Sequence, residues 1–329
     1  MNIMKSDDSE VFQILSLDGG GIKGLFSAAV LAALEDDLNI NITDHFDLIT
    51  GTSTGGIIAL GLGLGLRPAQ IVDFYAREGP SIFKNCLGLR NVRHWFYRKY
   101  PQQNLRRAIE NTEGFKGKIL GDATKRLVIP SYNLGEDDVY LFKTPHHTRL
   151  KRDWKEPVWK VALATSAAPT FFPACTDVGA ARLIDGGIWA NNPILVGITE
   201  AVSLLDVPMD KIRVCSLGTS DEVTWRPQSL THGGKLAWAS SVVSVIMRGQ
   251  SLGAHKQALH LLGSDKISRL DPKVPKGLLF LDKVDVSTLM GKASHESRIF
   301  APEFETRFQS HTAKPYVPIY RESTKGESP

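Results

Sequence analysis

An α/β fold built on a mostly parallel sheet is predicted by three features of the first 80 residues. Short, nearly continuous apolar runs alternate with helix-length segments, and glycine-bearing corners separate the two. The segments after those corners repeat apolar residues at helical spacing. Such alternation calls for parallel strands covered by helices on both faces. At 329 residues, 42% hydrophobic and 22% charged, the chain has the length and balance for a sizeable folded core.

Taken in order, residues 11–17 (VFQILSL) read as a buried strand stopped by Asp18-Gly19-Gly20-Gly21. Residues 22–38 follow as a helix, with Ile22, Leu25, Phe26, Ala29 and Ala33 on one stripe. HFDLIT makes a second strand and residues 54–66 a second helix, in which Gly61 and Gly65 suggest close packing on a neighbour. Pro68 suits the first turn of the next helix, 68–78. Residues 125–134 and 139–145 flank Gly-Glu-Asp-Asp as a hairpin. Helix is expected over 158–167 and 194–205, and strand over 181–185 and 211–220. From 225 the pattern loosens: 233–263 reads as one long helix or two, 276–286 as a strand, and the tail beyond about 315 as frayed.

Two corners carry chemistry. Gly51-Thr52-Ser53-Thr54-Gly55 places a serine between glycines where a strand meets a helix, the context of a nucleophile elbow. The bland alternative is a turn whose serine caps the helix. Gly19, Gly21 and Gly24 fit the spacing of a dinucleotide-binding loop, with Asp44 and Asp47 as candidate ribose-binding acids. That acid should end the second strand, however, whereas Asp47 begins it. Both loops leave the C-terminal ends of parallel strands and so converge on one crevice. There the backbone N–H groups of Gly19–Gly21 would hold the oxyanion formed when Ser53 attacks an ester, with the charge of Lys23 nearby.

No later histidine has a compelling loop context; His146-His147 comes nearest, and a surface role is expected for each. Asp185, at the end of a short strand and followed by Gly186 and Gly187, is a stronger candidate to take the serine proton, the alternative being a simple Asp-Gly-Gly turn. An ordinary aspartate is a weak base, so the site would have to raise its pKa by desolvation. The three cysteines, Cys86, Cys175 and Cys215, lack ligand spacing, so neither a metal nor a cofactor is expected.

DGGGIKG, GTSTG, ATSAAPTFFP (164–173) and DGGIWANNP, in this order, resemble the patatin-like phospholipases. The resemblance implies a three-layer α/β/α fold and a Ser–Asp dyad of Ser53 and Asp185 without histidine. It also implies an oxyanion hole from Gly19, Gly20 and Gly21, and hydrolysis of lipid acyl esters through an acyl-serine. Gly51, Gly55, Gly186 and Gly187 give the corners, and Lys23 stands where relatives carry Arg or Lys. The catalytic core is expected over 8–224, with 225–329 an elaboration packed on it. The rival readings are a nucleotide-binding module without hydrolase activity and a carboxylesterase for small soluble esters.

Residues 81–107 hold seven Lys/Arg and no acid, interleaved with Trp95, Phe96, Tyr97 and Tyr100. That mixture suits an anionic membrane surface better than a nucleic acid, the plain alternative being a solvated basic loop with buried aromatics. Phe74, Ile82, Phe83 and Leu87, with the apolar helix over 55–66, are candidates for an acyl channel. The N-terminus has no signal peptide and the longest apolar run is too short to span a bilayer. A cytoplasmic chain working at the inner membrane face is therefore expected. The compact N-terminus resembles the bacterial subgroup, which includes enzymes switched on by cyclic di- or trinucleotides in anti-phage defence. Trp225, Arg226, Trp238, Arg248, His255 and Arg269 would supply stacking and charge for such an activator, and a homo-oligomer is compatible with that role.

Overall fold

The computed structural model describes residues 11–82, 100–222, 229–234, 238, 242–274, 279–280, 283–284 and 286–321. β1 (Phe12–Leu17) is central because its side chains are apolar on both faces. Ile14 belongs to one packed layer, while Leu15 and Leu17 belong to the other. β1 pairs in parallel with β2 (Leu48–Gly51); β2 in turn pairs in parallel with β3 (Arg126–Asn133). β4 (Asp138–Lys143) lies antiparallel on β3, and β5 (Leu183–Asp185) also pairs antiparallel with β3. On the far side of β1 come β6 (Ile212–Leu217) and, past the two-residue β7 (Asp221–Glu222), β8 (Ile267–Leu270). The sheet order is β4-β3-β2-β1-β6-β8, mostly parallel.

Both faces are covered. α1 (Gly24–Leu38), α2 (Thr54–Gly63), α3 (Pro68–Ile82), α4 (Gln102–Asn111) and α5 (Val158–Thr165) contribute to the layer that receives Leu15, Ile49 and Ile129. After the single-turn α6 (Gly187–Ala190) the chain enters α7 (Ile194–Ser203), and later α8 (Val242–Leu262). These two cover the face carrying Ile14, Leu48 and Val128. The alternation of neighbouring strand residues between two cores is the period-2 signature of a sheet buried on both sides. This is the α/β architecture the sequence predicts.

The expected strand–helix alternation over 11–82 is present. α1 is buried nearly all round rather than along one stripe, because α9 (Val286–Phe304) lies against it. Phe304 of α9 also meets Phe46 edge-on at 6.2 Å. α2 ends at Gly63, so Gly61, whose added Cβ would lie 3.0 Å from Ile71, is the close-packing glycine. Gly65 instead takes φ +87° in the turn beyond. The strand expected over 276–286 is a hairpin of two-residue strands, Leu279–Phe280 and Lys283–Val284. Through Arg321 the tail is docked, not frayed: the Ile319 N–H donates to the Pro145 carbonyl at 2.8 Å and Tyr320 stacks on Trp154.

One edge of β3 is used twice. Its residues Arg126–Val128 pair with β2, and Ser131–Asn133 on the same edge pair with β5 running the opposite way. β2 and β5 therefore point at each other across the two intervening positions. Pro130, which has no N–H to donate, falls in that gap.

Candidate active site

The head-on meeting of β2 and β5 brings their exits together. Ser53 follows β2 at φ 56° and ψ −120°, a conformation that L-residues rarely adopt. The backbone can make that corner only because Gly51 and Gly55 touch: a Cβ on Gly51 would lie 2.1 Å from the Gly55 carbonyl oxygen. Thr165 holds the corner. The Ser53 N–H donates to its hydroxyl at 3.0 Å, and that hydroxyl donates to the Pro130 carbonyl at 2.6 Å. From the other flank, the Thr52 hydroxyl donates to the Ala190 carbonyl at 2.6 Å, tying β2 to the turn that follows β5. α2 starts immediately after Ser53, so its N-terminal N–H groups face any negative charge formed there.

Asp185 ends β5 at 2% exposure. Its Oδ1 accepts the Gly187 N–H at 2.6 Å, and the Gly186 N–H donates to the Thr165 carbonyl at 3.3 Å. Burial drives the Asp185 pKa up to about 6, against the opposing pull of the Ser53 hydroxyl and the Gly187 N–H. Ser53 and Asp185 both line one pocket, together with Gly20, Gly21 and Gly187.

The glycine loop divides its labour. The Gly19 N–H donates to the Asn191 carbonyl at 2.9 Å, which removes it from the expected oxyanion donors. Gly21, at φ 61°, and Gly20 line the pocket, and among the described residues no acceptor takes their N–H groups. Lys23 does not line the pocket; its ammonium donates to the Ser220 carbonyl at 3.3 Å. Asp18, just before the loop, is gripped by Arg269 of β8 through Nη2–Oδ2 at 2.7 Å and Nη1–Oδ1 at 3.2 Å. Arg269 also meets Asp271 at 3.0 Å, and Asp271 meets Arg248 of α8 at 3.3 Å. Arg248 and Arg269, offered by the sequence for an anionic activator, are thus both engaged with carboxylates of this chain. Trp225 and Arg226 lie outside the described residues.

Apart from the polar end, the pocket is apolar, enclosing about 820 Å³ including its open mouth. Ile57, Ile82, Leu105, Phe171, Phe172 and Met247 are among its walls. Ile82 and, from helix α2, Thr54 and Ile57 line the pocket, whereas Phe74 is packed in the core against Tyr75 and Phe115. Phe83, Leu87 and the rest of 83–99, with most of the basic–aromatic segment, lie outside the described residues. Sequence reasoning missed Thr165, Val243 and Met247. Thr165 sits within the quoted ATSAAPTFFP stretch, but Val243 and Met247 carry no local signal.

Among the described residues no histidine lines the pocket. His146 is buried rather than on the surface, its Nε2 2.8 Å from Glu200 and its Nδ1 2.9 Å from Thr144; burial lowers its pKa, so it is a neutral structural group. Asp47 accepts the Gln13 N–H at 2.9 Å and meets His311 at 2.7 Å. It precedes β2, at the opposite end of that strand from Ser53, so it is no ribose-binding acid for the glycine loop.

A serine corner over an apolar pocket, on an α/β sheet with a buried carboxylate facing it, is the arrangement of a serine ester hydrolase. The family can be named as well: the patatin-like phospholipase pattern matches residues 15–198, and the chain belongs to that family. A cGAMP-activated phospholipase of Pseudomonas aeruginosa is 33% identical, over 94% of this chain and 94% of its own. One of Vibrio cholerae is 33% identical over 89% of this chain and 91% of its own. In Arabidopsis thaliana, patatin-like protein 4 is 32% identical over 56% of this chain and 51% of its own. Among solved structures, VipD from Legionella pneumophila superposes with a TM-score of 0.50 at 12% identity, covering 89% of this chain and 67% of its own, a likeness of fold.

Proposed function

We propose that this chain hydrolyses acyl esters of membrane phospholipids through Ser53 and Asp185, under the control of a cyclic dinucleotide. The observation that carries the reading is a strained Ser53 beside a fully desolvated Asp185 of raised pKa, at the polar end of an apolar pocket. The acyl chain lies along Ile57, Leu105 and Phe172, which sets the ester carbonyl at Ser53. Asp185 takes the hydroxyl proton as Oγ attacks the carbonyl carbon. The oxyanion receives the N–H groups of Gly20 and Gly21 and the positive end of α2. The tetrahedral intermediate collapses, and Asp185 returns its proton to the departing lysophospholipid alkoxide. Water then repeats the sequence on the acyl-serine, with Asp185 again as base, and releases the fatty acid.

Raising the pKa to about 6 fits Asp185 for both duties. It is basic enough to accept a proton from serine in the transition state, yet ionised at neutral pH. The nucleotide control rests on the relatives named cGAMP-activated phospholipase, which align along most of this chain. The core over 8–224 carries the chemistry in this reading, and 225–329 is where control would enter. Work at the inner membrane face follows from the substrate; among the described residues no helix is long and apolar enough to cross a membrane.

The test is fatty-acid release from phosphatidylglycerol and phosphatidylethanolamine vesicles, with and without cGAMP, for wild type, Ser53→Ala and Asp185→Asn. Release that needs cGAMP and is lost in both variants supports the reading. Release retained in either variant refutes the dyad. Release indifferent to cGAMP refutes the nucleotide control.

A further inference from the structure

α8 divides into two halves of different character. From Ser251 onward it is amphipathic and anchored, with Ser251, Ala254, Ala258 and Leu262 buried. Gln250 and Ser251 also bind the Asn192–Asn191 turn that follows Asp185. The first nine residues, 242–250, contain no buried side chain, yet five of the first six are Val242, Val243, Val245, Ile246 and Met247. Ile246 is 52% exposed, and Val242 and Val243 are exposed beside it. A run of uncovered aliphatic side chains on a helix is unusual on a protein surface facing only water.

Position explains it. Val243 and Met247, one helical turn apart, line the pocket that ends at Ser53 and Asp185. Val242 and Ile246 form the adjacent stripe, rotated about 100° around the helix. They adjoin the pocket-lining stripe on the helix and are exposed to solvent. An acyl chain leaving a bilayer for this pocket would otherwise cross water, and an apolar surface adjoining the pocket removes that step.

We infer that the N-terminal turns of α8, through Val242 and Ile246, are a lipid-docking surface that seats the pocket mouth on the phospholipid bilayer. The inference rests on the acyl-hydrolase reading and adds to it a membrane contact separate from the basic–aromatic segment. The occupant is the lipid surface itself because the patch adjoins the acyl pocket. Val242 and Ile246 enter the hydrocarbon edge, and the anchored half of α8 holds the mouth over the site.

The experiment compares wild type with Val242→Asp/Ile246→Asp and with the milder Val242→Ser/Ile246→Ser, cGAMP present throughout. Neither position lines the pocket. Three readings are taken: co-sedimentation with phosphatidylglycerol vesicles, fatty-acid release from them, and hydrolysis of the soluble ester p-nitrophenyl butyrate. The inference expects both variants to lose vesicle binding, and vesicle release to drop at least tenfold, with soluble-ester hydrolysis within twofold of wild type. Unchanged vesicle binding and release in the serine variant overturns it. So does a change in oligomeric state by sedimentation velocity with vesicle release intact, which would assign the patch to a second copy of the chain. Failure of wild type to cleave either the vesicle lipid or the soluble ester would instead refute the acyl-hydrolase reading, while vesicle co-sedimentation still judges the patch.

Discussion

Replacing Asp185 with asparagine should make the protein more stable at neutral pH while making it inactive, and the size of the effect follows from the site. The carboxyl has an ordinary value of 3.8 and is pushed to about 6 in the folded state, with burial as the dominant cause. A raised folded value means the folded state holds its proton more tightly than the unfolded chain does. The stability this contributes is fully present below about pH 4 and is lost as pH rises through about 6. Above that, keeping the buried carboxylate ionised costs two pKa units, or about 3 kcal/mol. Asparagine has nearly the same shape, keeps an oxygen for the Gly187 N–H and has no charge to bury. Asp185→Asn should therefore gain up to about 3 kcal/mol at pH 8 and almost nothing at pH 4. For a chain of 329 residues that is a rise in Tm of about 4 °C. Thermal unfolding of both proteins across pH 4–8 measures it. A Tm difference independent of pH, or a less stable variant at pH 8, would refute the claim that Asp185 is held ionised at a cost.

The same pKa sets the pH profile of catalysis: hydrolysis of a soluble ester should fall tenfold per unit below about pH 6 and be flat from 7 to 8. A flat profile down to pH 5 would remove Asp185 as the base. Because Ser53 is held at φ 56°, Ser53→Gly should be roughly 1 kcal/mol more stable than Ser53→Ala, though both are inactive. Equal denaturation midpoints would show that the corner stores no strain. The Arg269 fork pairs with Asp18, one residue before the glycine loop, and under the proposed mechanism it positions that loop. Arg269→Met should lower kcat by about 100-fold with KM little changed, and Asp18→Asn in the same chain should restore part of it. A double variant no better than Arg269→Met would show that the loop does not depend on this neutralisation.

What could be read from sequence follows the strength of local signals. β1, β2 and the two corners stood out because apolar runs stop abruptly at glycines, and tight corners demand glycine. α4 was hidden because Arg106 and Arg107 made it look like part of a basic loop; its buried Leu105, Ala108 and Ile109 occupy the opposite face. β8 escaped because only four residues pair, one of them an arginine that leaves the ladder to reach Asp18. α9 carries sparse apolar residues and an internal Pro302, and is helical because α1 offers it a groove. At the site, the residue types of Ser53 and Asp185 were legible. The loss of the Gly19 N–H to Asn191 was not, because it depends on how two distant loops settle against each other.

The shared edge of β3 has a consequence for the order in which activity emerges during synthesis. A nascent chain that has released only β1 and β2 carries the nucleophile without its base, and even β3 and β4 do not change that. The carboxylate arrives last, on a three-residue strand that has no place to dock until residues 131–133 are fixed. Under the proposed dyad, a truncated or half-folded chain is chemically silent. The order of the strands along the chain thus delays the proposed chemistry until the sheet is built.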